Sequence, residues 1–188
     1  MRDDFRLLAK FYDLLIKPKK EISWLSTICE SKNKLILDVG GGTGRIAEVL
    51  KMNGCEVIIY DPSIHMLRSE KNNNLGFLRV CGEVESITFN ENQFDNVIMV
   101  DTLHHVKDQK IAVQSIQKIL KPGGIFLLEE PDIRKFSVKL IAILEKLMFM
   151  RSKFLYPDEI FKLFIKQNFT IKMIEEDYNL YFIVQKGN

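Results

Sequence analysis

The sequence predicts an α/β fold, a mostly parallel seven-stranded sheet with helices on both faces, finished by a C-terminal antiparallel hairpin. Three observations carry that prediction. From residue 35 onward, short apolar runs of strand length alternate with stretches of helical period, the pattern of βαβ units. One of those runs ends in a cluster of glycines, Gly40, Gly41, Gly42 and Gly44, after which helical spacing resumes. Two strand-like runs close the chain, near enough in sequence to pair directly.

The elements follow in order. Phe5, Leu8, Phe11/Tyr12 and Leu15 recur at three- and four-residue spacing, so a helix is expected over 3–16, with a second over 19–30 beyond Lys17–Pro18. Leu35–Val39 is apolar enough for a strand buried on both faces, and Ile46, Val49 and Leu50 mark the helix after the glycines. Cys55–Tyr60 reads as the second strand and Pro62–Glu70 as a helix, Pro62 being suited to its first turn. Gly76–Cys81 and Asp95–Val100 are the next strands, and Lys107–Leu120 a helix. The turn Lys121-Pro122-Gly123-Gly124 leads into a fifth strand, Ile125–Glu129. Helical stretches at about 135–152 and 157–167 precede the hairpin of Thr170–Ile174 and Leu180–Val184. No linker or repeat interrupts the pattern. The 188 residues therefore read as one domain, with 1–30 as a helical lid or cap and 132–156 as a helical substrate-side segment.

Composition narrows the class. Hydrophobic residues make up 46% and charged residues 28%, the mix of a globular chain. Twenty-seven Lys and Arg stand against 25 Asp and Glu, a net charge of +2. That leaves no basic excess to neutralise a phosphate backbone, so nucleic acid is not the expected partner. The opening residues lack the roughly 7–15-residue apolar core of a secretion signal. The most apolar stretch, residues 140–144, is cut by Glu145 and Lys146, far short of the ~20 residues that span a bilayer. Cys29, Cys55 and Cys81 form no CxxC pair, so neither a disulfide framework nor a zinc site is expected, and a reducing cytoplasm fits. Their equal 26-residue spacing is read as coincidence, since nothing else repeats with it.

The glycine cluster is the chemical centre of the sequence. A strand running into glycines and then a helix is an anion- or cofactor-binding turn, because the main chain can bend tightly and a ligand can approach it without meeting Cβ atoms. No Gly-Lys-Ser/Thr follows, which excludes a Walker phosphate loop. Gly42-Thr43-Gly44-Arg45-Ile46-Ala47 fits the dinucleotide pattern G-x-G-x-x-A, and Asp61 stands where a ribose-binding acid belongs. Asp38, two residues before the first glycine, separates the readings. A carboxylate there repels a pyrophosphate but suits a cationic amino group, so the ligand implied is a nucleoside carrying an amino acid.

Four ordered motifs, ILDVGGGTGRIAEVL, VIIYDPSIHML, CGEVESITFNENQFDNVIMVDTLHHV and ILKPGGIFLLEEP, together resemble those of the class I S-adenosylmethionine-dependent methyltransferases over about residues 35–131. Within that class, Leu103-His104-His105-Val106 and Phe11-Tyr12-Asp13 look most like the ubiquinone/menaquinone-biosynthesis type of small-molecule methyltransferase. The resemblance implies a Rossmann-like fold, S-adenosylmethionine as cofactor and S-adenosylhomocysteine as product. It implies that Asp38 and the backbone of Gly40, Gly41, Gly42 and Gly44 hold the methionyl end, with Asp61 on the ribose hydroxyls. Pro62 and Ser63 would lie beneath the adenine, Glu83 on its amino group and the Val84 amide on a ring nitrogen. Asp101 would stand at the mouth; Tyr12 could fold over the cofactor as a lid or, as is expected of Phe11, pack the first helix on the sheet.

Other roles stay open on the residues alone. Asp61 could cap the following helix, and Glu83, where the family more often has Asp, could be a solvated loop acid. His104 and His105 could take a proton from a phenol, enol or amine, or one of them could cap or pack the next helix; His65 reads as structural. Asp101-Thr102-Leu103 in place of an Asn-Pro-Pro-Tyr-type motif argues against base methylation. The apolar stretch 136–154 reads as a core helix, with a hydrophobic pocket, a membrane contact or a dimer face as alternatives. The expected function is methyl transfer to a small, hydrophobic or quinol-like acceptor, without metal and compatible with a homodimer. An NAD-dependent oxidoreductase and a non-catalytic S-adenosylmethionine-binding module are the alternatives.

Overall fold

Seven strands form one sheet in the computed structural model, which describes residues 22–68, 76–147, 150, 152–164 and 168–188. The helix expected at 3–16, the Tyr12 lid and Phe11 lie outside the described residues. Strands β1 (Leu35–Val39), β2 (Glu56–Asp61), β3 (Leu78–Cys81), β4 (Phe94–Val100) and β5 (Leu120–Pro131) run parallel. Strands β6 (Phe169–Glu176) and β7 (Asn179–Lys186) are the antiparallel pair, with β7 docked on β5. The spatial order is β3-β2-β1-β4-β5-β7-β6. The order therefore reverses between β1 and β4, and the loops leaving their carboxyl ends open a crevice where ligands of such sheets bind.

Strand alternation builds the two layers around the sheet. Ile36, Ile59, Ile98, Leu127 and Tyr181 point to one side, where they meet Trp24, Ile28, Ile46, Ala47 and Leu50. Leu37, Tyr60, Val97, Met99, Phe126 and Phe182 point to the other and meet Ala112, Val113 and Ile116. The first layer comes from α1 (Leu25–Ile28) and α2 (Arg45–Met52), the second from α4 (Gln109–Ile119) and α6 (Pro157–Leu163). Both faces are covered, as near-continuous apolar strands require.

Several boundaries differ from the expectation for identifiable reasons. The helix after β2, α3, spans Ile64–Leu67, and its cap is Ser63, whose Oγ accepts from the Met66 amide at 3.3 Å. Asp108 caps α4 through its Oδ1, which accepts from Ile111 N at 3.0 Å, so that helix starts later than the apolar pattern alone suggests. Strand β5 begins at Leu120, because Leu120 already pairs with Phe94 before a shift in register at Asn96.

Helix α5 (Phe136–Leu147) departs furthest. Val138 is buried, but Phe136, Leu140, Ile141, Ile143 and Leu147 are exposed. The helix is apolar on more faces than the body of the fold covers, so it is not the core helix expected. Among the described residues no helix is long and apolar enough to cross a membrane. Two of the three cysteines meet, while Cys81 is exposed. Cys29 and Cys55 are free thiols whose sulfurs stand 2.8 Å apart, and burial together with the Cys55 contact pushes the Cys29 thiol up to about 12.

Candidate functional site

The glycine turn follows directly from the end of β1. Gly40, Gly42 and Gly44 have φ of 73°, 52° and 88°, backbone that an L side chain rarely adopts. The Gly40 amide donates to Tyr60 O at 2.7 Å and the Gly44 amide to Gly41 O at 2.8 Å, which folds the turn back over the sheet end. A Cβ on Gly40 would collide with the Thr102 side chain, so the turns after β1 and β4 are pressed together at the point of reversal.

Asp38 lies beneath this turn, 2% exposed, with Oδ2 at 2.6 Å from where a Gly41 Cβ would be. Burial pushes its carboxyl up to about 7, with Asp61 adding to the rise and Arg45 and the Ala47 amide opposing it. Its Oδ2 is buried and accepts no hydrogen bond among the described residues. An orphaned carboxylate oxygen under a turn with no Cβ atoms fits the cationic amino-acid end of S-adenosylmethionine.

Asp61, at the tip of β2, is also buried. Its Oδ2 accepts from the Gly42 amide at 3.0 Å and its Oδ1 from the Ser63 amide at 2.7 Å. One side chain thus ties the first turn to the second. A carboxylate is an acceptor-only group, the type that ribose hydroxyls can donate to. Pro62 is exposed and Ser63 buried beside it. After β3, Gly82 admits the Tyr60 hydroxyl, which donates to Glu83 O at 3.0 Å. Glu83 is half-buried and precedes the turn that buries Val84, while His65 sits exposed on α3.

The other half of the site follows β4. Asp101 has φ 49°, a left-handed conformation that is uncommon outside glycine and worth a functional explanation. Burial, with the charges of Glu129 and Glu130, pushes its carboxyl up to about 7 against His104 and Arg45. The next residues turn once, Leu103–His105, and place two imidazole rings 4.0 Å apart. His104 is buried and stacked on Phe154 at 4.3 Å. Burial pulls its pKa down, but the charge and hydrogen bond of Glu130 outweigh that and the net direction is up. For His105, burial and the neighbouring His104 push the pKa down to about 3.

Glu130 organises the turn that holds these rings. Its Oε1 accepts from the Thr102 and Leu103 amides at 3.0 and 2.7 Å, and its Oε2 meets His104 Nδ1 at 2.7 Å. Beside it, Glu129 accepts from Trp24 Nε1 at 2.8 Å and from Asn179 Nδ2 at 2.6 Å. Sequence reasoning singled out neither acid. The available signal was two adjacent carboxylates ending an apolar strand, since buried acids at the carboxyl edge of such a sheet need partners. Ser152, whose Oγ lies 3.1 Å from His105 Nδ1, carried no signal at all. The sequence-named residues from Asp38 to Asp101 and both histidines thus border one edge of the sheet, at the ends of β1 to β4.

Comparison with known proteins agrees with this geometry. Residues 37–128 match the family model described as a methyltransferase domain. The chain is 35% identical over 94 residues to a zebrafish (Danio rerio) mitochondrial arginine-hydroxylase, NDUFAF5, covering 50% of this chain and 29% of that protein. It is 29% identical over 136 residues to a ubiquinone biosynthesis O-methyltransferase of Coxiella burnetii, covering 62% of this chain and 58% of that protein. The chain therefore spans less than two thirds of the length of these relatives. A Thermotoga maritima structure, described as an S-adenosylmethionine-dependent methyltransferase and possible histamine N-methyltransferase, superposes with a TM-score of 0.72 at 20% identity. That superposition covers 97% of this chain and 99% of the other, and it shows the shared fold. The motif set, the sheet order and the domain match converge: residues 37–128 form a methyltransferase domain, carried on the fold of S-adenosylmethionine-dependent methyltransferases.

Proposed function

We propose that the protein transfers the sulfonium methyl group of S-adenosylmethionine to a small, hydrophobic or quinol-like acceptor. The observation that supports this best is the contact of the two turns at the sheet's point of reversal. Gly40, with no room for a Cβ against Thr102, brings the proposed cofactor turn against the Asp101–His105 turn. A donor held by the first would present its methyl group toward groups on the second.

Within this reading, Asp38 and the glycine backbone bind the methionyl end and Asp61 takes the ribose hydroxyls. Glu83 and the Val84 amide read the adenine, and Pro62 lies beneath it. The sulfonium supplies an already activated methyl, so most of the acceleration comes from holding the acceptor in line with it. Asp101, with a carboxyl held near 7, is matched to accept a proton from an acceptor hydroxyl at neutral pH. The exposed apolar side chains of α5 and the name of the Coxiella relative support a hydrophobic, quinone-like acceptor.

Two measurements test the proposal. Calorimetric titration with S-adenosylhomocysteine is expected to show saturable binding. Incubation with methyl-labelled S-adenosylmethionine and a panel of phenols, quinols and amines is expected to label a member of the first two groups. Binding of NAD(H) without any binding of S-adenosylhomocysteine would overturn it in favour of an oxidoreductase. Binding without methyl transfer to any member would leave a cofactor-binding module instead.

A further inference from the structure

We propose that His104, His105 and Glu145 form a binding site for a divalent transition-metal cation of zinc-like ligand preference. The three residues come from two elements, the turn after β4 and the last turns of α5, and each offers one ligand atom. Those atoms all lie within 4.8 Å of one another. Ligand atoms about 2.0–2.2 Å from a tetrahedral zinc sit roughly 3.3–3.5 Å apart, so the set closes by up to about 1.5 Å around an ion. The flexible Glu145 side chain can supply that movement. Two imidazoles and one carboxylate suit zinc or ferrous iron, whereas magnesium and calcium call for more oxygen donors.

A second, independent observation points the same way. Glu145 Oε2 is buried and has no hydrogen-bond partner among the described residues. A carboxylate oxygen withdrawn from water without a partner is costly, and a cation between it and the two rings removes that cost. The Glu145 charge faces His104 beside the Glu130 contact, yet its Oε2 accepts no hydrogen bond among the described residues.

The surroundings of the rings are those of a supported ligand set. Glu130 holds His104 at Nδ1 and is itself fixed by two backbone amides, which leaves Nε2 as the ligating atom. Ser152 Oγ lies beside His105 Nδ1, and Phe154 stacks on His104 with 14° between the ring planes. Carboxylate-to-histidine contacts of this kind orient the ring and raise its basicity at metal sites. Three protein ligands leave a position open for an exchangeable oxygen, and a cation there would ease loss of a proton from a bound hydroxyl. That use of the ion rests on the methyl-transfer reading; the site itself does not.

The test uses the full chain, stripped with chelator and titrated with zinc alone in a calorimeter, then with cobalt(II) while visible absorption is followed. The expected result is about one equivalent of zinc bound and cobalt d–d bands without thiolate charge transfer. Glu145→Gln and His105→Ala are each expected to weaken zinc binding at least about tenfold, and Glu130→Gln to weaken it through the outer contact by about 10–100-fold. Unchanged circular dichroism identifies the variants that remain folded, and Glu145→Gln, on a largely exposed helix, keeps the test valid if His105→Ala unfolds. Absence of saturable zinc binding overturns the proposal. So does equal affinity in the parent and Glu145→Gln, or a cobalt thiolate band, which would assign the ion to cysteine. No S-adenosylmethionine enters this titration, so its failure leaves the methyl-transfer reading intact, and the failure of that reading leaves the titration interpretable.

Discussion

Asp101 carries two costs in one residue, a left-handed backbone and a carboxyl held near 7 by burial and by the charges of Glu129 and Glu130. A carboxyl whose folded pKa is raised contributes stability in full below its unfolded pKa of about 3.9, and that contribution is lost as pH rises through 7. Asp101→Asn keeps a side chain tolerant of positive φ and removes the charge. Urea unfolding should find it more stable than the parent at pH 8, on the order of 2 kcal/mol, with the gap closing by pH 4. At Asp61 the effect reads out on the ligand. Asp61→Ala removes the acceptor of the Gly42 and Ser63 amides as well as the proposed ribose contact. Calorimetry with S-adenosylhomocysteine is expected to show a loss of roughly 10–100-fold, the scale of about 1.5–3 kcal/mol for charged hydrogen bonds. Asp38 was legible in the sequence because a local turn fixes its spacing from the glycines, and Asp61 because it ends the next strand of the same βαβ unit. Glu130 was not, since its imidazole partner is 26 residues away and only the pairing of β4 with β5 brings them together.

Between elements, the sharpest contact is that of the two turns. Gly40→Ala meets both a φ of 73° and the Thr102 side chain, so it should cost on the order of 1–3 kcal/mol in unfolding experiments. Thr102→Ala in the same chain should restore part of that loss, because it removes the collision but not the backbone strain. A double-mutant cycle with no coupling would contradict the pressed-together turns. Helix α5 gives a second comparison. Val138→Ala should cost about 1.5 kcal/mol, whereas Phe136→Ala, at a residue 83% exposed, should change stability by less than about 0.5 kcal/mol. Chemical denaturation of the two variants checks this. The strands were readable because burial on both faces leaves an apolar run with little else to become. The exposure of α5 was not, because an apolar helical period looks the same whether the body of the fold covers it or not. The start of β5 was hidden by Pro122 and the glycines, which signal a turn even where Leu120 has already begun to pair.

Across the whole molecule, the reversal of strand order collects residues 38 to 130 at a single edge. Ten glycines are scattered through the sequence, yet their dense group stands where two loops part in opposite directions. This level of organisation was the most legible, since alternating strand and helix patterns allow few topologies. What joins the edge to the rest of the chain was not legible. Glu129 receives hydrogen bonds from Trp24 near one end of the described chain and from Asn179 near the other, and its charge falls on Asp101. Trp24 is the one tryptophan in the sequence. The protein therefore carries a built-in optical gauge, with its indole wired to the acid that senses the mouth. Emission from Trp24 should change as Asp101 ionises near neutral pH and should stop doing so in Asp101→Asn. The same light should register S-adenosylhomocysteine as it settles, with no label attached.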